Sequence, residues 1–191
     1  MKISVIMPVY NEARTIKEIT KRVMDSGIVD EIIIVDDFSK DDTMKILKTL
    51  SLKGVKIYSH DKNRGKGAAI RTGLKNASGD IIIFQDADLE YDPKDYLELV
   101  KPIKEGVADV VYDSRFLRRK GLFHCKKIFY LTHFIGNKFL NFIVRLLYGA
   151  KLTDMETCYK VIKKEILDNI NISARGFEIE PEITAKLLRK G

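Results

Sequence analysis

The chain is expected to fold as an α/β protein with a mostly parallel central sheet and helices on both faces. Short apolar runs alternate with helical patterns throughout, and those runs are apolar nearly end to end, as strands buried on both faces must be. Strands are expected at Ile3-Ser4-Val5-Ile6-Met7, Glu31 to Val35, Val55 to Tyr58, Ile81 to Phe84 and Asp109 to Tyr112. After the first, Asn11 is placed to cap a helix whose apolar positions Ala13, Ile16, Ile19, Val23 and Met24 share one face, and Gly27 ends it. After the second, Ser39 and Asp42 read as a capping pair before Met44, Leu47 and Leu50. Gly67 to Ala77 reads as a short helix. Asp92 followed by Pro93 opens another through Tyr96, Leu97 and Val100, with proline in the first turn.

Composition narrows the class. A chain of 191 residues, 45% hydrophobic and 32% charged, with 12 Gly, 4 Pro and no repeat, reads as a single domain over residues 1–191. Cys125 and Cys158 have no metal-ligand spacing and read as reduced thiols of a cytosolic protein. The N-terminus lacks a signal-peptide layout, and no run of about 18 uncharged apolar residues offers a membrane span. The net charge of +7 favours anionic partners. No basic-aromatic pattern of an RNA-recognition sheet accompanies it, so nucleic acid is not an expected partner.

In parallel sheets ligands sit beyond the carboxyl ends of the strands. There the sequence places Pro8-Val9-Tyr10-Asn11-Glu12, Asp36-Asp37-Phe38-Ser39 and Gln85-Asp86-Ala87-Asp88-Leu89-Glu90. Converging carboxylates raise one another's pKa, so the last group makes physical sense around a cation or an array of hydroxyls. Asp86 and Asp88, two apart on a strand end, project to one side, and Glu90 continues the row. Their hard oxygens suit Mg2+ or Mn2+ held jointly with substrate phosphates. For Asp36 and Asp41 an ordinary capping role is an equal alternative. Upstream, Asn63-Arg64-Gly65-Lys66-Gly67-Ala68-Ala69-Ile70-Arg71 is neither a P-loop nor a complete dinucleotide fingerprint. It offers a helix N-terminus to an anion, with Arg64, Lys66 and Arg71 as cations, or else is a basic turn.

In this order the four motifs resemble those of the family 2 glycosyltransferases with a GT-A, Rossmann-like fold, and more narrowly the dolichyl- or polyprenyl-phosphate hexose synthases. The resemblance implies inverting transfer of a hexose, mannose or glucose, from a GDP- or UDP-sugar to a dolichyl or polyprenyl phosphate. By matching position it implies that Pro8, Tyr10, Glu12 and Asp37 hold the base and ribose, with Lys66 and Arg71 in the donor site. Asp86 and the Ala87 backbone would contact the nucleotide, and Asp88, with Glu90, would ligate the metal; Glu90 stands where the mannose synthases usually carry Gln. Ser114-Arg115-Phe116 stands where the family has Gly-Ser-Arg, which places Arg115 at the phosphates, with Asp113 replacing the glycine and either weakening phosphate binding or pointing outward. The run from Leu152 to Lys160 and the segment Gly176 to Glu182 look like the portion that closes over the donor, with Asp154 and Glu180 as buried structural carboxylates or contact residues. Related enzymes continue beyond the position of Gly191. With no tryptophan in the chain, the Gln-x-x-Arg-Trp signature of polysaccharide synthases is absent, and processive synthesis is not expected.

From Leu122 to Tyr148 the chain is aromatic and aliphatic but interrupted by charge. Lys138, Asn141 and Arg145 form a polar stripe, and Phe134, Ile135, Phe139, Phe142, Ile143 and Leu146 cover a wide apolar face. This is either a core helix or an amphipathic helix in a membrane interface, which would place the protein peripherally on the cytoplasmic face of a membrane. A phosphate acceptor needs no base, because its second pKa near 6 leaves it largely dianionic at neutral pH; it needs cations. Lys126, Lys127 and His133, with Arg115, are the candidates for the acceptor phosphate, although His133 alone is as readily a structural residue and the basic run Arg118-Arg119-Lys120 a solvated loop.

Overall fold

The computed structural model describes residues 1–50, 52–114, 127–155 and 157–190, with side chains described outside 127–135. In chain order the elements are β1 (Ile3–Val9), α1 (Ile16–Asp25), β2 (Glu31–Asp36), α2 (Thr43–Thr49), β3 (Val55–Ser59), α3 (Lys66–Asn76), β4 (Ile81–Phe84), a 3-10 turn (Pro93–Asp95), α4 (Tyr96–Lys104), β5 (Val110–Tyr112), α5 (Lys127–Tyr148), β6 (Lys160–Lys163), α6 (Lys164–Asp168) and α7 (Ile179–Leu188). The strand order is β3-β2-β1-β4-β6-β5. β1 runs parallel to β2 and β4, and β2 parallel to β3, while β6 is antiparallel to both β4 and β5. Every residue of β2 is buried, and since side chains alternate across a strand, both faces of the sheet are covered there. α3 packs over β1 and β2, α4 over β5 and β6.

The mostly parallel α/β sheet agrees with the expectation, and three local details do not. β6 lies where no strand was expected, because Lys160-Val161-Ile162-Lys163 carries a lysine at each end; Lys160 is nonetheless fully buried. Asn11 does not cap α1: Glu12 supplies the carbonyl that receives Thr15 and Ile16, and Asn11 Oδ1 instead accepts from the Lys40 amide at 2.7 Å. At α2 the capping oxygen belongs to Asp41, which accepts from the Thr43 amide at 3.0 Å and its hydroxyl at 2.5 Å. Asp92 does cap the 3-10 turn before α4, accepting from the Lys94 amide at 3.1 Å.

Over its described side chains, α5 does not bury its apolar stripe as a core helix would. Asn137 and Asn141 face inward, donating to the Thr153 carbonyl at 3.4 and 2.9 Å, and Asn141 accepts from the Met155 amide at 3.2 Å. The two asparagines satisfy backbone that would otherwise be buried unpaired, which turns Phe139, Phe142, Leu146 and Leu147 outward at 61–72% exposure. Among the described residues no helix is long and apolar enough to cross a membrane.

At the opposite end of the sheet from the strand-end motifs, Glu31 is buried yet fully partnered. It accepts from Ser4 Oγ at 2.6 Å, the Ser78 amide at 2.6 Å and hydroxyl at 2.9 Å, and the Lys56 ammonium at 2.7 Å. Burial pushes the carboxyl up, but these donors outweigh it and hold the pKa down at about 2. A depressed carboxylate contributes stability that is fully present above its unfolded value near 4.5 and is lost as the pH falls toward 2. The full shift corresponds to about 3 kcal/mol, and solvent around the half-exposed Lys56 reduces it. Glu31→Gln is therefore expected to lower stability by about 2 kcal/mol at pH 7, with the difference from wild type shrinking between pH 4.5 and 2 in urea titrations.

Candidate functional site

The carboxyl ends of β1 and β4 lie where the strand order reverses, the place an open α/β sheet offers to ligands. The loops after β1 and β2 are stitched together on its rim. The Asn11 amide donates to Ser39 Oγ at 2.9 Å, the Glu12 amide to Thr43 Oγ1 at 2.8 Å, and the Ala13 amide to Asp41 Oδ2 at 3.1 Å. Tyr10 stands exposed on this rim, and Pro8 and Glu12 are half-buried beside it. Asp36, at the end of β2, is buried, and its Oδ1 has no hydrogen-bond partner.

Asp37 is not open to solvent. Its carboxylate accepts from the Arg64 amide at 2.9 Å and the Gly65 amide at 2.7 Å, and lies 2.6 Å from His60 Nδ1. His60 Nε2 in turn meets Thr72 Oγ1 at 2.9 Å. Asp37 thus ties the loop before α3 to the end of β2. His60 was not singled out in the sequence, since a lone histidine after a strand carries no motif.

The glycine-containing loop serves a different neighbour from the anion expected. Gly65 has φ +90°, and a Cβ there would collide with the Arg175 carbonyl; at Gly67 a Cβ would lie 2.5 Å from the Ala174 carbonyl. The Ala68 amide, at the α3 N-terminus, donates to Arg175 O at 3.2 Å. Arg71 donates to the carbonyls of Ser173 and Ala174, so its guanidinium fastens chain to chain and is not presented to a donor phosphate. The strap at 173–176 is held from its other side by Glu182, which receives the Ser173 and Ala174 amides, and by Glu178, which receives those of Arg175 and Gly176. The two glycines are small because protein backbone, here the strap, approaches them closely. Gly67→Ala is expected to destabilise by about 2 kcal/mol, since neither contacting backbone can yield without breaking this set, and thermal unfolding measures it.

Lys66, the first residue of α3, reaches across to the acidic motif. Its ammonium lies 2.8 Å from Asp86 Oδ1 and 3.4 Å from Glu180 Oε1. Burial works against the charge on Lys66, but the surrounding Cys158, Asp86 and Glu180 outweigh it and raise its pKa above the usual lysine range. Glu180 also pairs with the fully buried Lys160, which donates to the Thr157 carbonyl as well. Glu180 is thus a buried ion-pair partner of two lysines. Asp113 is buried, which excludes the outward orientation.

Under the acidic motif lies a platform that the sequence did not reveal. Gln85, fully buried, accepts from Tyr96 and Tyr159 hydroxyls at 2.6 and 2.7 Å and donates to the Asp86 carbonyl at 2.8 Å. It fixes the backbone from which Asp86 and Asp88 emerge. Ala87 is buried, and Asp88 and Glu90 are exposed, with the Glu90 amide donating to Asp88 Oδ1 at 3.0 Å. Desolvation and the neighbouring Asp86 raise the Asp88 pKa, with the Glu90 amide and Lys66 opposing. Asp86 and Asp88 therefore do not form a ready-made pair: Asp86 is taken by Lys66, while Asp88 is met by the Glu90 amide. Among the described residues no group of three or more metal-ligating side chains is preassembled. Oxygen ligands that need substrate phosphates to complete a shell suit Mg2+ or Mn2+ better than a structural metal. Arg115 and Lys126 lie outside the described residues, as do the side chains of Lys127 and His133 on α5.

Comparison with known proteins decides the family. The profile of "Glycosyl transferase family 2" matches residues 4–170. The chain belongs to glycosyl transferase family 2. The family 2 chain is 32% identical over 193 residues to the dolichol-phosphate mannosyltransferase of Pyrococcus furiosus, a match covering 97% of it but 53% of that relative, so it spans about half the relative's length. It is also 32% identical over 205 residues to the UDP-N-acetylglucosamine–dolichyl-phosphate N-acetylglucosaminyltransferase of Methanococcus voltae, covering 98% and 80% of the two chains. Its fold is that of glucosyl-3-phosphoglycerate synthase from Mycobacterium tuberculosis, solved with Mn2+, uridine diphosphate and phosphoglyceric acid, with TM-score 0.76, 24% identity, and coverage of 99% and 64%. The GT-A architecture expected from the motifs is thereby met.

Proposed function

We propose that this chain transfers a hexose from a nucleoside diphosphate sugar to a dolichyl or polyprenyl phosphate. The observation that carries the reading is the acidic strand end: Asp88 exposed with a raised pKa, beside Asp86 clamped by Lys66, on a backbone fixed from below by Gln85. Asp88, with Glu90, would hold a Mg2+ or Mn2+ ion, which supplies charge stabilisation to the departing diphosphate. Tyr10 and the stitched loops after β1 and β2 receive the base and ribose, with Pro8 and Glu12 shaping the rim. Asp37 acts there by holding the Arg64 and Gly65 amides. Lys66 keeps a fixed cation beside Asp86 where negative charge gathers.

A phosphate acceptor is favoured over a sugar hydroxyl, which would need a carboxylate base. Glu178, Glu180 and Glu182, the carboxylates of the closing segment Gly176 to Glu182, are each engaged by donors. Arg115, Lys126, Lys127 and His133 are the residues we assign to the acceptor phosphate. The outward apolar face of α5, with exposed Lys138 and Arg145 beside Phe139, Phe142 and Leu146, suits a peripheral position on the anionic, cytoplasmic surface of a membrane.

Two experiments test the reading. Incubation with GDP-mannose, UDP-glucose or UDP-N-acetylglucosamine and a short polyprenyl phosphate should release nucleoside diphosphate only when Mg2+ or Mn2+ is present. Release unaffected by chelation, or release that requires a free sugar acceptor, would overturn it. Sedimentation with anionic vesicles should carry down the wild type and lose Phe142→Glu; equal sedimentation of the two would remove the membrane role of α5.

A further inference from the structure

Three non-glycine residues among those described have a positive φ, and all three lie in loops at the carboxyl edge of the sheet: Asn11 (57°) after β1, Phe38 (67°) after β2 and Leu89 (66°) after β4. Asparagine visits this region readily, and Asn11 Oδ1 also accepts from the Lys40 amide of the neighbouring loop. A phenylalanine does not, and a bulky residue held there is strained where glycine would be free. Core packing does not explain the ring either. Phe38 is 37% exposed and lies outside the hydrophobic core cluster.

What surrounds Phe38 suggests its use. The hydrogen bonds from the Asn11 amide to Ser39 Oγ and from the Lys40 amide to Asn11 Oδ1 bind its loop to the one that carries Tyr10. Tyr10 is itself 45% exposed, so two aromatic side chains stand on adjoining loops of the same rim. The Lys40 ammonium lies 3.5 Å from the centre of the Phe38 ring, over its face, which enriches the site in positive charge. An aromatic plane backed by a cation is suited to a nucleobase, whose flat face stacks on it irrespective of the base edge.

We infer that Phe38 is a base-stacking residue of the donor site, kept in a strained conformation because its ring contacts the nucleobase on the face Lys40 does not cover. This rests on the nucleoside diphosphate sugar reading above and adds to it one residue that sets donor affinity. Stacking on either a purine or a pyrimidine raises affinity without selecting strongly between them.

Calorimetric titration of UDP, GDP and inorganic pyrophosphate, each with Mn2+, into wild type, Phe38→Gly and Phe38→Tyr tests it. Phe38→Gly should weaken UDP and GDP about tenfold and leave pyrophosphate unchanged, while its melting temperature stays at or above that of wild type as the strain is relieved. Phe38→Tyr, which keeps the ring, should bind like wild type. The inference is overturned if Phe38→Gly binds UDP and GDP as wild type does, or if it loses pyrophosphate to the same extent. Wild type that binds pyrophosphate but neither nucleotide would defeat the donor reading itself, an outcome distinct from wild type binding both and the glycine variant matching it.

Discussion

Replacing Asp88 with alanine is expected to reduce transfer about a thousandfold while leaving the fold intact or more stable. The magnitude is that of withdrawing charge stabilisation from a leaving group inside a shaped site. The sign of the stability change follows from the raised pKa: a carboxylate desolvated and faced by Asp86 disfavours the folded state when it is ionised, so its removal relieves the protein at neutral pH. Loss of activity joined to a gain in melting temperature marks a residue kept for function rather than for the fold. If Asp88 ligates the cation, protons compete with it there, so activity at limiting Mn2+ should fall on the acid side and added Mn2+ should move that limb to lower pH. Glu90→Gln, which keeps an oxygen ligand, should lower activity far less, about tenfold. Steady-state rates with varied Mn2+, together with thermal unfolding, measure all of these.

The largest stability effect is expected at Glu180. Lys160 is fully buried and its ammonium is met by Glu180 and the Thr157 carbonyl. Glu180→Gln would leave that ammonium in a low-dielectric interior without its anion, and breaking a buried pair from one side costs about 3–5 kcal/mol. In a chain of this size that is a fall of about 10 °C in melting temperature. Lys160→Met should be milder, because Glu180 keeps Lys66 at 3.4 Å. The double variant Lys160→Met, Glu180→Gln should recover part of the loss, since no buried charge then lacks a counter-ion. Strictly additive losses in urea titrations of the three variants would show that the pair is not coupled in this way.

The five strands expected from apolar runs are all present; β1, β2 and β4 are buried on both faces, so hydrophobicity alone marks them, while β3 and β5, only partly buried, keep enough apolar residues to be read. β6 escaped detection for the reverse reason. Its lysine at position 160 is buried by an ion pair with Glu180, twenty residues away, and nothing local in the sequence announces such a partner. α5 illustrates the same limit, since its helical period is legible but not its orientation. Asn137 and Asn141 turn inward to meet the Thr153 and Met155 backbone, and the apolar stripe turns outward. In the candidate site, the placing of Asp86, Asp88 and Glu90 beyond the end of β4 was legible in the sequence. In the glycine loop close backbone approach was legible, but glycine does not name what approaches, and here it is the chain's own strap at 173–176. Gln85 and His60 act through two tyrosines, an aspartate and a threonine that only tertiary structure brings to them.

Crystals of the wild-type chain grown with Mn2+ and UDP, measured at a wavelength where manganese scatters anomalously, address the acidic strand end directly. The expected result is an anomalous peak within coordination distance of the Asp88 carboxylate and bridged to the diphosphate oxygens. Bound UDP with no manganese at Asp88, or manganese held elsewhere on the protein, would contradict a metal-dependent donor site at this strand end.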